Sequence, residues 1–315
     1  MKLFIQIPCF NEEKTLKSVL EELPKKVKWI DEIKTIIIDD WSSDKTVKIA
    51  KDFGVDFIIK HTKNKWLWEA FKSGIEKSLS EWADIVVNTD WDNQYPWNYI
   101  EDLIQPIIEK KADIVMWDRQ TKNINHFSIL KKFFQWLWSL VVRILSWTNV
   151  PDSVSWFRAY SRESLLKINI TSSFSYAVDT LLQAWAKWLK IDHIKITTNK
   201  PTRKSRLFKN IWHHMYKTSK ILLRVYAMYN PLKIFFSLWS IFFIIWSLWI
   251  ARFMYFYIEN PTNTWKIQSL ILSIAFIIVA FQFFALWVIW DLIAKNRKLI
   301  EDNLYFTKKQ FFDKR

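Results

Sequence analysis

Short β-branched segments alternate with helix-like segments over about the first 120 residues of the chain. The first segment reads LFIQIP (residues 3–8), and KTIIID, DFIIK, DIVVNTD and DIVMW follow it. Between the first two, Leu16, Val19, Leu20 and Leu23 recur at the spacing of one helix face. This alternation is typical of βαβ units, so the sequence predicts an α/β domain with a mainly parallel sheet flanked by helices.

Polar clusters follow three of the predicted strands. They are PCFNEE (residues 8–13) after the first strand, DDWSSDKT (residues 39–46) after the second and NTDWDNQYP (residues 88–96) after the fourth. Ligands of such sheets bind beyond the carboxyl ends of the strands. These three clusters are therefore the first place to look for a functional site.

The third cluster contains a D-x-D pattern, with Asp90 and Asp92 on the same side of an extended backbone and Gln94 as a further oxygen on that side. Magnesium is typically held by one or two carboxylates together with substrate phosphates. Taken alone, two spaced acids are more often simply solvated. Their position at the end of a buried strand, beside two other polar strand ends, favours a divalent metal site.

Two uncharged stretches near the carboxyl terminus have the length of membrane spans. Residues 234–251 and 267–290 carry no charge and would reach about 27 and 36 Å as helices. A hydrocarbon core is about 30 Å thick. Two buried helices of a soluble protein are the alternative, but the lengths favour a transmembrane hairpin with helices at about 234–257 and 267–290.

Charge gives the hairpin an orientation. The net charge is +15, no acidic residue occurs between His193 and Ile258, and ten basic residues lie between Lys195 and Lys233. A basic run can serve nucleic acid, an anionic membrane or a solvated face. Because membrane spans follow, we expect membrane lipids and no nucleic acid, with both termini cytoplasmic. Residues 207–230 and about 127–147 are predicted to be helices at the membrane surface.

The ordered motifs resemble those of family 2 glycosyltransferases. They are IPCFNEE, IIIDDWSSDKT, NKWLWEAFKSG, VVNTDWDNQYP, MWDR, DSVSWFRAY and PTRKSRLF. Within that family they are similar to the dolichol-phosphate mannosyltransferase-like, or polyprenyl-phosphate glycosyltransferase, branch. The resemblance implies a cytoplasmic GT-A domain with a Rossmann-like sheet at residues 1–206, ahead of the interfacial helix, the two spans (residues 231–294) and a basic tail (residues 295–315). It implies a multi-pass protein of the inner (cytoplasmic) membrane.

The resemblance also implies a role for individual residues. Donor binding is expected at six positions: Pro8, Asn11, Glu12, Asp39, Asp40 and Asp90. The metal, Mg²⁺ or Mn²⁺, is expected on Asp90, Asp92 and Gln94. The acceptor phosphate is expected at four positions: Arg158, Arg203, Ser205 and Arg206. Asp92 and Arg119 are expected in catalysis, and Asp152 is a candidate base or orienting group. A general lipid-attracting patch is the alternative for residues 203–206.

The implied reaction is the inverting transfer of a sugar from a UDP- or GDP-linked donor to a polyprenyl (dolichyl or undecaprenyl) phosphate. A phosphate acceptor is already ionised at neutral pH, so it needs positioning more than deprotonation. Two alternatives stay open: another lipid acceptor such as diacylglycerol, or a membrane-anchored nucleotide-binding protein without activity. The QxxRW motif of processive family members is missing, and homo-oligomer contacts through the hairpin stay open.

Glycine is nearly absent, with 2 residues against 21 tryptophans. The resembled family has glycine at five of the tryptophan positions: Trp41, Trp66, Trp91, Trp117 and Trp156. Trp68, Trp82 and Trp97 belong to the same set. We hypothesise that most tryptophans are UGA codons that the cell reads as glycine, with Trp136 and Trp212 as genuine tryptophans. The hypothesis predicts a positive φ at several tryptophans, where a bulky residue is an outlier.

Overall fold

The computed structural model describes residues 1–89, 97–118, 155–170, 176–195, 220, 224, 226–227, 231–259 and 267–314. The chain forms two compact units. The first comprises residues 1–222 together with 304–315, and the second comprises residues 223–303. Each unit is described by itself.

The described strands of the first unit form one mixed sheet in the order β3-β2-β1-β4-β6-β5-β7. β6 is antiparallel to both of its neighbours, and the other neighbouring strands are parallel. The strands are β1 (Lys2–Cys9), β2 (Glu32–Asp39), β3 (Phe57–Lys60), β4 (Ile85–Asn88), β5 (Ile114–Asp118), β6 (Arg158–Ser161) and β7 (Ile191–Lys195). The predicted mainly parallel sheet is confirmed.

Helices flank this sheet. They are α1 (Leu16–Glu21), α2 (Thr46–Phe53), α3 (Trp66–Ser80), α4 (Ile100–Ile108), α5 (Arg162–Lys167) and α6 (Tyr176–Ala186). Leu16, Val19 and Leu20 of α1 are buried, as their spacing predicts. β1 is buried at successive residues from Leu3 to Cys9, which means that both faces of the central strand are covered. The core of the unit therefore lies around β1 and its neighbours.

The second unit contains two long apolar helices, α7 (Pro231–Glu259) and the first part of α8 (Ile267–Asp313). Phe242 stacks on Phe283 with ring centroids 5.3 Å apart, and Phe235 stacks on Trp290 at 5.9 Å. Because the later residue of α7 contacts the earlier residue of α8, the two helices run antiparallel. Both are long and apolar enough to cross a membrane. They have the form of the predicted hairpin.

The end of α8 belongs to the first unit, where it packs on α5. The Tyr305 hydroxyl donates to Glu163 Oε1 at 2.8 Å, and Arg162 pairs with Asp313 at 3.1 Å. The segment predicted as a basic tail is thus helical as far as Asp313. The predicted surface helix at residues 127–147 lies outside the described residues. Of residues 207–230 only four are described, and each is helical: Lys220, Arg224, Tyr226 and Ala227.

Candidate functional site

Strand register brings the first two polar clusters together. Cys9 of β1 lies opposite Asp39 of β2, and Asp39 lies opposite Lys60 of β3. β4 is parallel to β1 on the other side, with Asn88 opposite Gln6. The carboxyl ends of these four strands therefore point the same way, which is where an α/β sheet binds ligands.

The loops that follow β1 and β2 are held to each other by hydrogen bonds. The Asn11 backbone N–H donates to Ser42 Oγ at 2.9 Å, and the Ser43 N–H donates back to Asn11 Oδ1 at 2.9 Å. The backbone N–H of Glu12 donates to Thr46 Oγ1 at 2.8 Å. Asn11 has a φ of 55°, a conformation that asparagine tolerates better than most residues. The two clusters form one structural element rather than two separate loops.

Asp44 joins this pair of loops to the start of α2. Its carboxylate accepts from the backbone N–H of Glu13 at 3.1 Å and from that of Thr46 at 3.0 Å. Burial alone would raise the pKa of Asp44. Hydrogen bonds from the Thr46 hydroxyl and from backbone N–H groups outweigh burial and lower the pKa below its usual value. Asp44 is therefore a structural carboxylate.

Asp39 and Asp40 are both buried, but they differ in the number of hydrogen bonds that their carboxylates accept. Asp39 is fully buried; its Oδ1 accepts from the Ser42 N–H at 3.1 Å, and its Oδ2 has no hydrogen-bond partner among the described residues. Asp40 accepts from His61 Nδ1 at 2.8 Å, from the Lys65 N–H at 2.8 Å and from the Trp66 N–H at 2.9 Å. The donor-binding roles predicted for the two residues stay predictions. Asp40 has a further role as the anchor of the 61–66 loop.

The remaining described candidates are buried as well. Pro8 lies inside β1 opposite Ile38, and Glu12 is 4% exposed. Arg158 is fully buried on β6, where it donates to Ser155 O at 2.8 Å and to Ala177 O at 2.8 Å. These contacts join β6 to its neighbours in the fold. The acceptor-phosphate role of Arg158 stays a prediction.

Cys9 has the properties of a buried apolar side chain. It is 2% exposed, and burial raises the pKa of its thiol well above the usual value, with a further rise from Glu12, Asp39 and Asp44. A nucleophilic cysteine needs a lowered pKa instead. Cys9 therefore packs in the core of β1 as a small apolar side chain.

The structure contains a buried polar network across the sheet that the sequence did not predict. Gln6 Nε2 donates to Asn88 Oδ1 at 2.9 Å, and Asn88 Nδ2 donates to the Tyr176 hydroxyl at 2.9 Å. The signal was present, since Gln6 is the single polar residue in LFIQIP. His61 was also missed, although it follows a strand as the other site residues do. Asn88 matters because the predicted metal ligands begin two residues after it.

The other predicted site residues lie outside the described residues. They are Asp90, Asp92, Gln94, Arg119, Asp152, Arg203, Ser205 and Arg206. Among the residues that the structure does describe, no group of three His, Cys, Asp or Glu side chains is placed to hold a metal ion. The predicted metal site is thus neither supported nor opposed by the described part of the chain.

Among the described residues, five tryptophans have a positive φ: Trp29, Trp41, Trp66, Trp82 and Trp188. The backbone prediction of the glycine hypothesis is therefore confirmed for Trp41, Trp66 and Trp82. Trp68, Trp97, Trp117 and Trp156 are not among the residues with a positive φ, so their backbone does not bear on the hypothesis. Trp41 and Trp66 directly adjoin the Asp40 network and are 56% and 70% exposed. The two rings stand at the edge of the candidate site.

Ligands of open α/β sheets bind beyond the carboxyl ends of the strands, and in this chain the buried Asp39 and Asp40 lie at that edge. The sequence model described as Glycosyl transferase family 2 matches residues 4–168, just over half of the chain. The chain belongs to this family and is a glycosyltransferase. An inactive nucleotide-binding protein, the second alternative above, is therefore set aside.

Curated relatives agree with the polyprenyl-phosphate branch of the family. A UDP-N-acetylglucosamine–dolichyl-phosphate N-acetylglucosaminyltransferase of Methanococcus voltae is 32% identical over 181 residues, which are 52% of this chain and 70% of the relative. An undecaprenyl-phosphate mannosyltransferase of Micrococcus luteus is 25% identical over 209 residues, covering 62% of this chain and 83% of the relative.

Solved structures support the GT-A fold. Glucosyl-3-phosphoglycerate synthase from Mycobacterium tuberculosis, in complex with Mn²⁺, UDP-glucose and phosphoglyceric acid, superimposes with a TM-score of 0.53. The match covers 73% of this chain and 80% of that chain, at 18% sequence identity. At this identity the likeness shows the fold alone.

Proposed function

We propose that this glycosyltransferase transfers a sugar from a nucleotide-linked donor to a polyprenyl phosphate at the cytoplasmic face of the membrane, with inversion at the sugar carbon. The observation that carries the proposal is the buried acidic cluster at the carboxyl ends of β1 and β2. There Asp39 and Asp40 lie between two interlocked loops, and Asp39 Oδ2 has no hydrogen-bond partner among the described residues.

A buried carboxylate oxygen without a donor costs free energy, on the order of 1–3 kcal/mol or more for a charged group. The N–H of a nucleobase or a ribose hydroxyl would supply that donor. Asn11 and Glu12 border the same cluster through their contacts with Ser42 and Thr46. These groups support binding of the nucleoside part of the donor at this place.

A divalent metal fits the residues that follow β4. Asp90, Asp92 and Gln94 offer carboxylate and amide oxygens, which Mg²⁺ and Mn²⁺ prefer. β4 is parallel to β1, so its carboxyl end opens on the same side as the acidic cluster. When bound, the metal supplies Lewis-acid stabilisation of charge on the nucleoside diphosphate that leaves. Asp90 and Asp92 would hold it there.

The acceptor needs binding rather than activation, because a phosphate monoester is ionised at neutral pH. Arg158, Arg203, Ser205 and Arg206 would hold its phosphate oxygens, since guanidinium groups bind phosphate in a bidentate manner. Arg119 would contact the phosphates of the donor or the acceptor. Attack on the face of the sugar opposite the leaving group inverts the anomeric carbon.

The membrane supplies the acceptor. We propose that α7 and the apolar part of α8 cross the inner membrane with both termini in the cytoplasm, because basic residues flank both outer ends of the pair. A cytoplasmic site is reached by a soluble nucleotide sugar, and the phosphate of a polyprenyl lipid lies at headgroup depth.

The test is a donor screen on membranes that contain the full chain. Radiolabelled UDP- and GDP-sugars are supplied with Mg²⁺ and polyprenyl phosphate, and the labelled lipid is identified. Asp92→Asn is expected to lower transfer at least 100-fold, because removal of one metal-stabilising charge weakens the transition state. Asp102→Asn, at an exposed position on α4, is the matched control and should keep full activity.

Full transfer by Asp92→Asn would contradict the proposed metal site. Transfer to diacylglycerol but not to polyprenyl phosphate would favour the alternative acceptor. That reaction needs a base for a neutral hydroxyl, and Asp152→Asn would then abolish it. With the phosphate acceptor, Asp152→Asn is expected to retain most of its activity.

A further inference from the structure

His61 is a buried imidazole whose two ring nitrogens are both engaged. It follows β3 directly and is 5% exposed. Its Nδ1 lies 2.8 Å from Asp40 Oδ1, and its Nε2 lies 3.0 Å from Ser73 Oγ of α3. Its backbone N–H donates to Asp39 O at 2.9 Å. His61 therefore connects the ends of β2 and β3 to helix α3.

These partners determine the tautomer of His61. A carboxylate only accepts hydrogen bonds, so Nδ1 carries the proton that is shared with Asp40. In the neutral imidazole, Nε2 is then an acceptor, and the Ser73 hydroxyl donates a hydrogen bond to it. Ser73 in this way fixes the plane of the ring, and the ring fixes the Asp40 carboxylate.

Asp40 is held by three donors that come from one short loop. His61 and Lys65 donate to Oδ1, and Trp66 donates to Oδ2. A carboxylate has about four acceptor positions. Among the described residues, one acceptor position on Oδ2 is left without a donor.

We propose that His61 is a positioning residue for the nucleoside part of the donor. The hydrogen bond from His61 fixes the orientation of the Asp40 carboxylate. In that orientation, the remaining acceptor position of Oδ2 faces the N–H or hydroxyl groups of the nucleoside. This inference rests on the proposed function. It adds that the precision of nucleotide binding depends on the His61–Asp40 hydrogen bond, although His61 itself does not touch the donor.

The experiment measures UDP and GDP binding, each with Mg²⁺, to the purified full chain in detergent. His61→Leu removes both hydrogen bonds and is expected to raise the dissociation constant of the preferred nucleotide at least tenfold. In the transfer assay the KM for the donor rises by the same factor, while kcat changes less than threefold. His193→Leu on β7, at the opposite edge of the sheet, is the matched control and leaves binding unchanged.

Two amide variants separate positioning from folding. Asn places its side-chain N–H near the position of Nδ1, whereas Gln places its N–H near Nε2. His61→Asn is therefore expected to bind within threefold of the original protein, and His61→Gln to bind at least tenfold more weakly. This comparison also decides the matter if His61→Leu does not fold.

Unchanged nucleotide affinity in folded His61→Leu overturns the inference. So does equal affinity of the Asn and Gln variants. Failure of the unaltered chain to bind either nucleotide is a different result, since it overturns the proposed function itself.

Discussion

Two tryptophans occupy helix-end positions that glycine normally fills. Gly54 ends α2 with a φ of 80°; its N–H donates to Lys51 O, and the next N–H donates to Ala50 O. Trp188 repeats this pattern after α6, and Trp82 repeats it after α3. A left-handed residue at this place is most often glycine. The shared geometry supports glycine as the native residue at both tryptophan positions.

Trp188 gives the clearest stability test, because its side chain is 92% exposed and its φ is 56°. Trp188→Ala removes the ring but keeps the Cβ that makes a positive φ costly. Trp188→Gly removes both. We expect the Gly variant to be more stable than the Ala variant by about 1 kcal/mol, measured by chemical denaturation.

Equal stability of the two variants would mean that the position does not need glycine. Mass spectrometry of the protein from its own cells is the direct check on the residue itself. Tryptophan in peptides that cover positions 41 and 91 would end the glycine hypothesis.

Asp44 predicts a pH dependence of stability. Its folded-state pKa is lowered, so the carboxylate stabilises the protein above the unfolded pKa of about 3.9 and loses this effect as the pH falls through the folded value. Asp44→Asn is expected to cost about 1 kcal/mol at pH 7, because the amide keeps only one of the two acceptor oxygens and loses the charge.

The difference between Asp44→Asn and the original protein should shrink as the pH falls below about 4, in urea unfolding followed by circular dichroism. Asp52→Asn, at an exposed position on α2, is the control and should show no such trend. A cost for Asp44→Asn that stays constant to pH 2 would argue against a stabilising role for the ionised carboxylate.

At the level of whole elements, α3 packs on β1 through Gly74, which has no side chain. A Cβ at Gly74 would lie 2.3 Å from Gln6 Oε1 and 3.1 Å from Ile38 Cδ1. Gln6 cannot easily give way, since it is fully buried and its Nε2 is bound to Asn88. The close approach of α3 to β1 therefore leaves no room for a side chain at position 74 while Gln6 is bound to Asn88. Asn88 lies two residues before the predicted metal ligand Asp90.

Gly74→Ala is expected to destabilise the protein by about 1–3 kcal/mol, as overpacking does. The sign of the change in unfolding free energy distinguishes overpacking from helix propensity, because alanine in an unobstructed helix would stabilise the protein by about 1 kcal/mol. Unfolding in urea measures the change. In a double-mutant cycle, Gln6→Ala should recover most of the loss, whereas additive effects would show that the clash lies elsewhere.

At the level of the whole molecule, the chain returns to its first unit at the very end. Lys308 Nζ donates to Ile168 O at 3.0 Å and to Asn169 Oδ1 at 2.7 Å. With the Tyr305–Glu163 and Arg162–Asp313 contacts, this attaches the last turns of α8 to α5. Residues 304–315 are therefore part of the first unit.

Lys308→Ala is expected to lower the stability of the first unit by about 1–2 kcal/mol, because two partly buried acceptors lose a charged donor. Lys309→Ala removes the neighbouring, exposed lysine and should change stability by less than 0.5 kcal/mol, roughly the range for surface substitutions. Thermal unfolding in detergent compares the two. Equal losses would show that the terminus does not support the unit.

Prediction from sequence succeeded where local pattern is enough. The alternation of segments gave the sheet, and the strand ends gave the positions of Asn11, Asp39 and Asp40. It missed His61 and Gln6, because a single polar residue in or after an apolar strand has no distinguishing local pattern. Their importance comes from partners 12 to 82 residues away.

The sequence by itself determined the α/β class, the two apolar helices and the acidic strand ends, because periodicity and charge are local properties of a chain. Only the tertiary structure decided which polar groups meet. It gave Asp40 three donors from the 61–66 loop and attached the last turns of α8 to α5. Among the described residues, it left one oxygen of Asp39 without a partner. Such contacts depend on strand register and helix packing, which join residues that the sequence keeps far apart.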